Sequence, residues 1–360
     1  MRNKGKRSMK KSSDIKIFVI ILIILIIVAG ILLTIKIING KKNQDTQITN
    51  TNVMDVEENE IVEQEIQTPK TLASDTRPIA VMIDNNIKAM PQAGVLEADI
   101  VYELIVEAGE TRLMLILQDK KLDKIGPIRS SRHDFLDYAL ENDAIYVHYG
   151  WSPQAKSDIS ILGVNNINGI FESTSSFWRD KSRYAPHNAV TNTENILKIA
   201  KRKGYRTSTT REPVLNYIVD EVNLETGIDA KTVTIPYSTS NTVKYTYDEE
   251  TKTYVRYSRG KKQTDWITGK DVTTKNIIIS FAKNTSLDSK DRQDIENVKT
   301  LDGYYITNGK AIKIKCEKKS RKEQTIYRDL EGNEININDG KTFIQICPLN
   351  SKCVIGEISV

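Results

Sequence analysis

The chain predicts an α+β protein with a mixed α/β first domain and a smaller β-rich C-terminal domain, preceded by one transmembrane helix. Three observations carry this expectation. An unbroken run of apolar and small residues lies near the N-terminus, and short apolar segments then alternate with helix-periodic ones to about residue 235. From Thr242 the texture changes to short polar–apolar alternations separated by turns.

The apolar run, residues 17–35, has about the length a helix needs to cross a bilayer core. Seven basic residues and one acid, Asp14, precede it, so the positive-inside rule keeps residues 1–16 as a cytoplasmic basic tail. A cleavable signal peptide has a shorter apolar core and a small-x-small site, and TIKIINGKKNQ offers none. Residues 17–38 therefore read as an uncleaved signal anchor of a single-pass membrane protein whose C-terminal domains lie on the extracytoplasmic side. Residues 39–76, polar and without sustained periodicity, read as a flexible stalk.

The first domain, 77–235, opens with RPIAVMIDN, a continuous apolar run ended by Asp84-Asn85, as expected of a buried strand. Strands at 98–107 and 111–119 are joined by Ala108-Gly109-Glu110 as a hairpin. Apolar positions at Phe135, Leu136, Ala139 and Leu140 predict a helix from Arg132, with Ser131 as its cap and Asp134 as the acidic third position. AIYVHYGW resumes strand character, and a second helix, 193–203, stops at Gly204. In the second domain, 240–360, TVKYTYDEETKTYVRY reads as a hairpin and NIIISFAK as a buried strand. YRDLEGNEININDGKTFIQICPL adds at least two strands, with Glu331-Gly332 and Asp339-Gly340 as turns.

The net charge of +5 resides in the tail: residues 1–16 carry +6, 17–77 carry −3 and the remainder +2. A folded portion so nearly neutral argues against nucleic acid as a partner. Of three cysteines, Cys347 and Cys353 are close enough in sequence to pair, leaving Cys316 odd, and no paired four-ligand zinc spacing exists.

The chemistry concentrates in GPIRSSRHDF. Arg129 and Arg132 stand at the expected helix N-terminus, where local electrostatics favour acids, so the pair suits an arriving phosphate or carboxylate. The competing reading pairs them with Asp84, Asp99, Glu103, Glu107 or Glu110 as structural fasteners. Arg112 on the third strand, and Arg179, Arg183 and His187 in WRDKSRYAPHN, would raise the cluster to five arginines and favour an anionic ligand. His148, on a strand pattern, reads as a core or rim residue also available to a ligand. His187, between Pro186 and Asn188, is the candidate for proton transfer. G-x-S-x-G, P-loop, H-E-x-x-H and G-x-G-x-x-G are absent from the sequence. Asp84 with Glu103 or Glu107 is the candidate pair for a divalent cation, and no other cofactor is implied. Tyr247, Tyr254, Tyr257, Trp266 and Arg256 form an aromatic strand face, suited to cross-strand packing or to a partner surface.

RPIAVMIDNN, PQAGVLEADIVYE, EAGETRLMLIL, IGPIRSSR, YVHYGWSP, RYAPHN, YDEETKTYVRY, TDWITG and NIIIS resemble, in the same order, the YerB-like family of bacterial envelope proteins, a two-part domain of unknown function. The resemblance runs from Arg77 to the C-terminus. It implies an extracytoplasmic location and a two-part architecture, and brings no catalytic residues. The family typically consists of lipoproteins; here no lipobox cysteine follows the apolar run, and Tyr149-Gly150-Trp151 stands where the family pattern has a glycine pair before Ser-Pro. The arginine-rich loops are also loosely similar to those of LytR-CpsA-Psr phosphotransferases, without a residue-by-residue match.

The expected function is binding of an anionic envelope ligand or partner through Arg112, Arg129, Arg132, Arg179 and Arg183, without turnover. One alternative is a metal-assisted phosphotransferase or hydrolase on a lipid-linked or wall polymer, with Asp84 and Glu103 on the cation and His187 moving protons. The other is a scaffold for wall-synthesis enzymes that uses the aromatic face. The membrane is a partner through the N-terminal helix.

Overall fold

The computed structural model describes residues 68–360. The expected tail, the signal anchor and residues 39–67 of the stalk lie outside the described residues, whereas residues 68–76, expected as stalk, are held to the fold: Leu72 is buried and the Lys70 and Thr71 N–H groups donate to Asp339. Among the described residues no helix is long and apolar enough to cross a membrane. The described chain is mixed α/β and rich in strand, in keeping with the coarse expectation.

Strands β1 (Ile79–Asp84), β2 (Ile100–Ile105) and β3 (Thr111–Leu117) are buried along their whole length. Their largely apolar runs, interrupted by Glu103 in β2 and Arg112 in β3, suit strands covered on both faces. At the β2–β3 turn Gly109 has φ +70, and a Cβ there would lie 2.6 Å from that of Ser238, so both the dihedral and the space require glycine. Helix α1 (Asp134–Glu141) begins two residues later than expected. The physical reason is that Ser131 does not cap it: its hydroxyl accepts from the Tyr146 hydroxyl at 2.8 Å. β4 (Ile145–His148) runs parallel to β1.

Helix α2 (Pro153–Leu162) escapes the periodicity reading because only Ala155, Asp158 and Ile159 are buried on it. Its end signals are nevertheless present: Ser152 accepts from the Ala155 N–H, Pro153 opens the helix and Gly163 closes it with φ +69. β5 (Asn166–Asn168) pairs with β4, and α3 (Thr193–Arg202) is capped by Asn192.

The C-terminal half forms β6 (Thr232–Ser238), β7 (Asn241–Asp248), β8 (Thr253–Ser258), β9 (Asn276–Ala282), β10 (Thr300–Thr307), β11 (Lys310–Glu317), β12 (Ile326–Arg328) and β13 (Thr342–Pro348). The expected 242–257 hairpin is β7–β8. The β10–β11 hairpin turns at Asn308-Gly309, both at positive φ, the strongest short hairpin signal in the chain although the sequence reading passes over it.

One sheet of eleven strands runs in the order β12-β11-β10-β9-β13-β2-β3-β1-β4-β5, with Ile228–Asp229 also on β11. β13 lies between β9 and β2 and is parallel to both, so the two expected domains meet in a single sheet. A second, seven-stranded sheet contains β6, β7 and β8.

Alternation along β2 locates the layers. Tyr102 faces α1, where its hydroxyl donates to Glu141 at 2.8 Å and its ring lies 4.8 Å from Tyr138. Glu103 faces the second sheet and meets Arg256 of β8 at 2.6 Å, both side chains fully buried. Cys316, Cys347 and Cys353 are buried free thiols.

Candidate anion site

The cavity at the C-terminal end of β1 is assembled by backbone hydrogen bonds. The Arg129 N–H donates to Met82 O, and the Asp84 N–H to Pro127 O, which lays the GPIR segment along the end of β1. Its other side is held by Tyr149 N–H to Arg129 O and Ile128 N–H to Ala189 O. The same knitting brings the loop that carries His187 to this place. Across the β1–β3 ladder Asp84 stands directly opposite Arg112, and the β2–β3 turn supplies Glu107.

These residues line a cavity of about 350 Å³. Arg132 donates to Glu107 Oε1 from Nε at 2.8 Å and also from Nη2, while Arg112 stands 3.7 Å from Glu107 Oε2 and donates to Ser130 O. Glu107 is thus shared by three guanidinium groups, since Arg292 Nε also lies 3.9 Å from Oε1. Arg129 lies 3.4 Å from Asp84 Oδ2, which also meets His187 Nδ1 at 2.8 Å. Glu110 is taken by Arg259 at 2.6 Å. Four cationic side chains, Arg112, Arg129, Arg132 and Lys290, therefore face only two remaining carboxylates, Asp84 and Glu107.

The electrostatic consequence appears at Arg112. Burial, and then the charges of Arg132 and Arg129, push its guanidinium down to about 9, although Glu107 and Asp84 pull it back. Burial raises the Glu107 carboxyl, but the Arg132 hydrogen bond and the Arg112 charge leave it below its ordinary value. The cavity offers positive potential and fixed N–H donors, the arrangement that receives phosphate or carboxylate.

The structure brings together Arg112, Arg129, Arg132, His187 and Asp84. Arg179 and Arg183 lie elsewhere, because aromatic faces and carbonyls satisfy them. Arg179 is 4.7 Å from the Tyr149 ring and donates to Asn188 Oδ1. Arg183 stacks 3.5 Å from the Trp266 ring and donates to the carbonyls of Ala89 and Pro91. His148 is buried, bonded to Gly150 O and Asn166 Oδ1; burial lowers its pKa, so it is a core residue. Glu103 cannot share a cation with Asp84: its Oε2 meets Arg256 and its Oε1 accepts from Asn85 and Thr111. Within the aromatic face Tyr254 is fully buried with Tyr247 ring-packed on it at 5.1 Å, Arg256 is buried, and Trp266 carries Arg183 on its ring. Lys290 of the cavity went unread in the sequence, since a lysine in SKDRQD carries no local signal.

Residues 66–206 match the family described as "Protein of unknown function (DUF3048) N-terminal domain", and residues 233–344 match the corresponding C-terminal domain. YerB of Bacillus subtilis (strain 168), named as a candidate lipoprotein, is 32% identical over 286 residues, covering 76% of this chain and 82% of that protein. The crystal structure of YerB protein from Bacillus subtilis matches with a TM-score of 0.71 at 32% identity, over 80% of this chain and 97% of that one. Both halves, in their order, and the fold that joins them agree: the chain belongs to the YerB-like family of two-part DUF3048 proteins.

Proposed function

We propose that this chain is a membrane-associated envelope protein that binds a phosphate- or carboxylate-bearing envelope ligand through Arg112, Arg129 and Arg132. The observation that carries the reading is the charge balance of the cavity, where one carboxylate, Glu107, serves the guanidinium groups of Arg112, Arg132 and Arg292. The apolar run at residues 17–35 supports a single-pass anchor with the described residues on the extracytoplasmic side. The naming of YerB as a candidate lipoprotein supports the same compartment.

The Asp84–His187 hydrogen bond favours a second reading, in which the bound phosphoryl group is transferred or hydrolysed. Asp84 holds Nδ1 and orients the ring, leaving Nε2 to take or give a proton. The two readings separate in one experiment on the full chain, with inorganic phosphate and pyrophosphate as probes. Ligand at a hundred times its dissociation constant adds about 2.7 kcal/mol to the folded state. Stabilisation of the parent that is lost in Arg129→Ala supports the site, and an unshifted parent removes it. Release of phosphate from pyrophosphate that ceases in His187→Gln selects the second reading.

A further inference from the structure

A second constellation lies away from the arginine cavity, where α1 meets the strand Gln293–Ile295. His133 Nε2 stands 3.0 Å from Asp294 Oδ1 and 3.4 Å from Asp134 Oδ1. All three ligand atoms lie within 4.8 Å of one another. Donors held 2.0–2.2 Å from one metal ion are about 3.0 Å apart at a right angle and about 3.4 Å apart at a tetrahedral angle. The two distances from His133 Nε2 therefore fall at the spacing an ion imposes.

The charge balance points the same way. Asp134 is only 4% exposed, and among the described residues its hydrogen-bond donor is the Ile295 N–H, on Oδ1. Among the described residues Oδ2 accepts no hydrogen bond and stays open to solvent, and neither Asp134 nor Asp294 has a lysine or arginine partner. The nearby Arg321 is committed to Asp137 and Asp158 at 2.6 and 2.7 Å. A buried carboxylate without a cation is costly, and a dication would relieve Asp134 while taking the exposed Asp294 as a further ligand. The three residues line a cavity of about 570 Å³, which leaves further coordination positions open to water or a ligand.

We propose that His133, Asp134 and Asp294 bind a first-row divalent transition ion such as Zn2+ or Mn2+. One imidazole with two carboxylates suits these ions, whereas Ca2+ and Mg2+ prefer all-oxygen shells. His133 and Asp134 come from the turn into α1 and Asp294 from the C-terminal half, so the ion clamps one to the other.

The test uses the full chain, stripped with chelator and titrated with Co2+, whose visible absorption reports coordination, then with Zn2+ as competitor. The expected result is one saturable ion per chain, displaced by Zn2+, and weakened at least about 100-fold in Asp294→Asn, a ligand loss that should exceed the usual effect of outer-shell changes. The Asp294 side chain is 48% exposed, so this variant keeps the fold even if His133→Gln does not. Arg129→Ala should bind the ion as the parent does. Absence of one-to-one saturation, or binding unchanged in Asp294→Asn, overturns the proposal.

Discussion

Arg112 and Arg256 are both buried arginines one sheet apart, and their electrostatic states are opposite. Arg256 is opposed by burial, but the Glu103 charge and the hydrogen bonds that it donates to Glu103 and Tyr245 raise its pKa above the ordinary value. Its Nη1 also donates to Gln263. Arg112 shares Glu107, at a longer distance, with Arg132 and Arg292, and its pKa falls. Arg256 is a saturated fastener between sheets; Arg112 is a cation in a positive field, a state that an arriving anion improves. Burial of a charge alone does not distinguish a structural pair from a site, whereas the balance of its partners does.

The comparison breaks most visibly at Arg256. Arg256→Met leaves the Glu103 carboxylate buried without its cation, and should cost about 3–5 kcal/mol of unfolding free energy in denaturant titration. Arg112→Met should cost no more than about 1 kcal/mol, since the lost hydrogen bond to Ser130 O is offset by removing a cation from a positive field. The same variant should lose its stabilisation by phosphate. Equal losses of stability in the two variants would erase the distinction between them.

The smallest effect lies with Glu107 and pH. Its folded carboxyl titrates below the ordinary 4.5, so the unfolded chain binds more protons in that window. The stability it contributes is complete above about pH 5 and is lost as pH falls through the folded value. Glu107→Gln should flatten that part of the pH profile of unfolding. It should also tighten phosphate binding roughly fivefold at low salt, as expected from deleting one competing charge worth about 1 kcal/mol at a partly exposed site. An unchanged affinity in this variant would mean that Glu107 is not holding the ligand's place.

The strands legible in the chain are those with a local signature. Residues 79–83 read as a buried strand because their apolar run is continuous, and β7–β8 read as a hairpin because alternation flanks a polar turn. The Arg129–Arg132 pair was legible too, as two cations behind a Gly-Pro turn. Arg179 and Arg183 looked equivalent in sequence, yet the faces of Tyr149 and Trp266 take them out of the cavity. Such partners lie tens of residues away, and no local pattern encodes them. His133 was passed over for the same reason, since Asp294 lies 161 residues further along.

Local composition is sufficient to write the apolar run, the hairpins and the basic pair, because each depends on neighbours within a few residues of the chain. The place of β13 between β9 and β2, the commitment of Glu103 to Arg256 and the sharing of Glu107 by three arginines belong to the folded molecule. Parallel pairing and buried charge balance are long-range interactions, whose partners become neighbours only when the sheet closes.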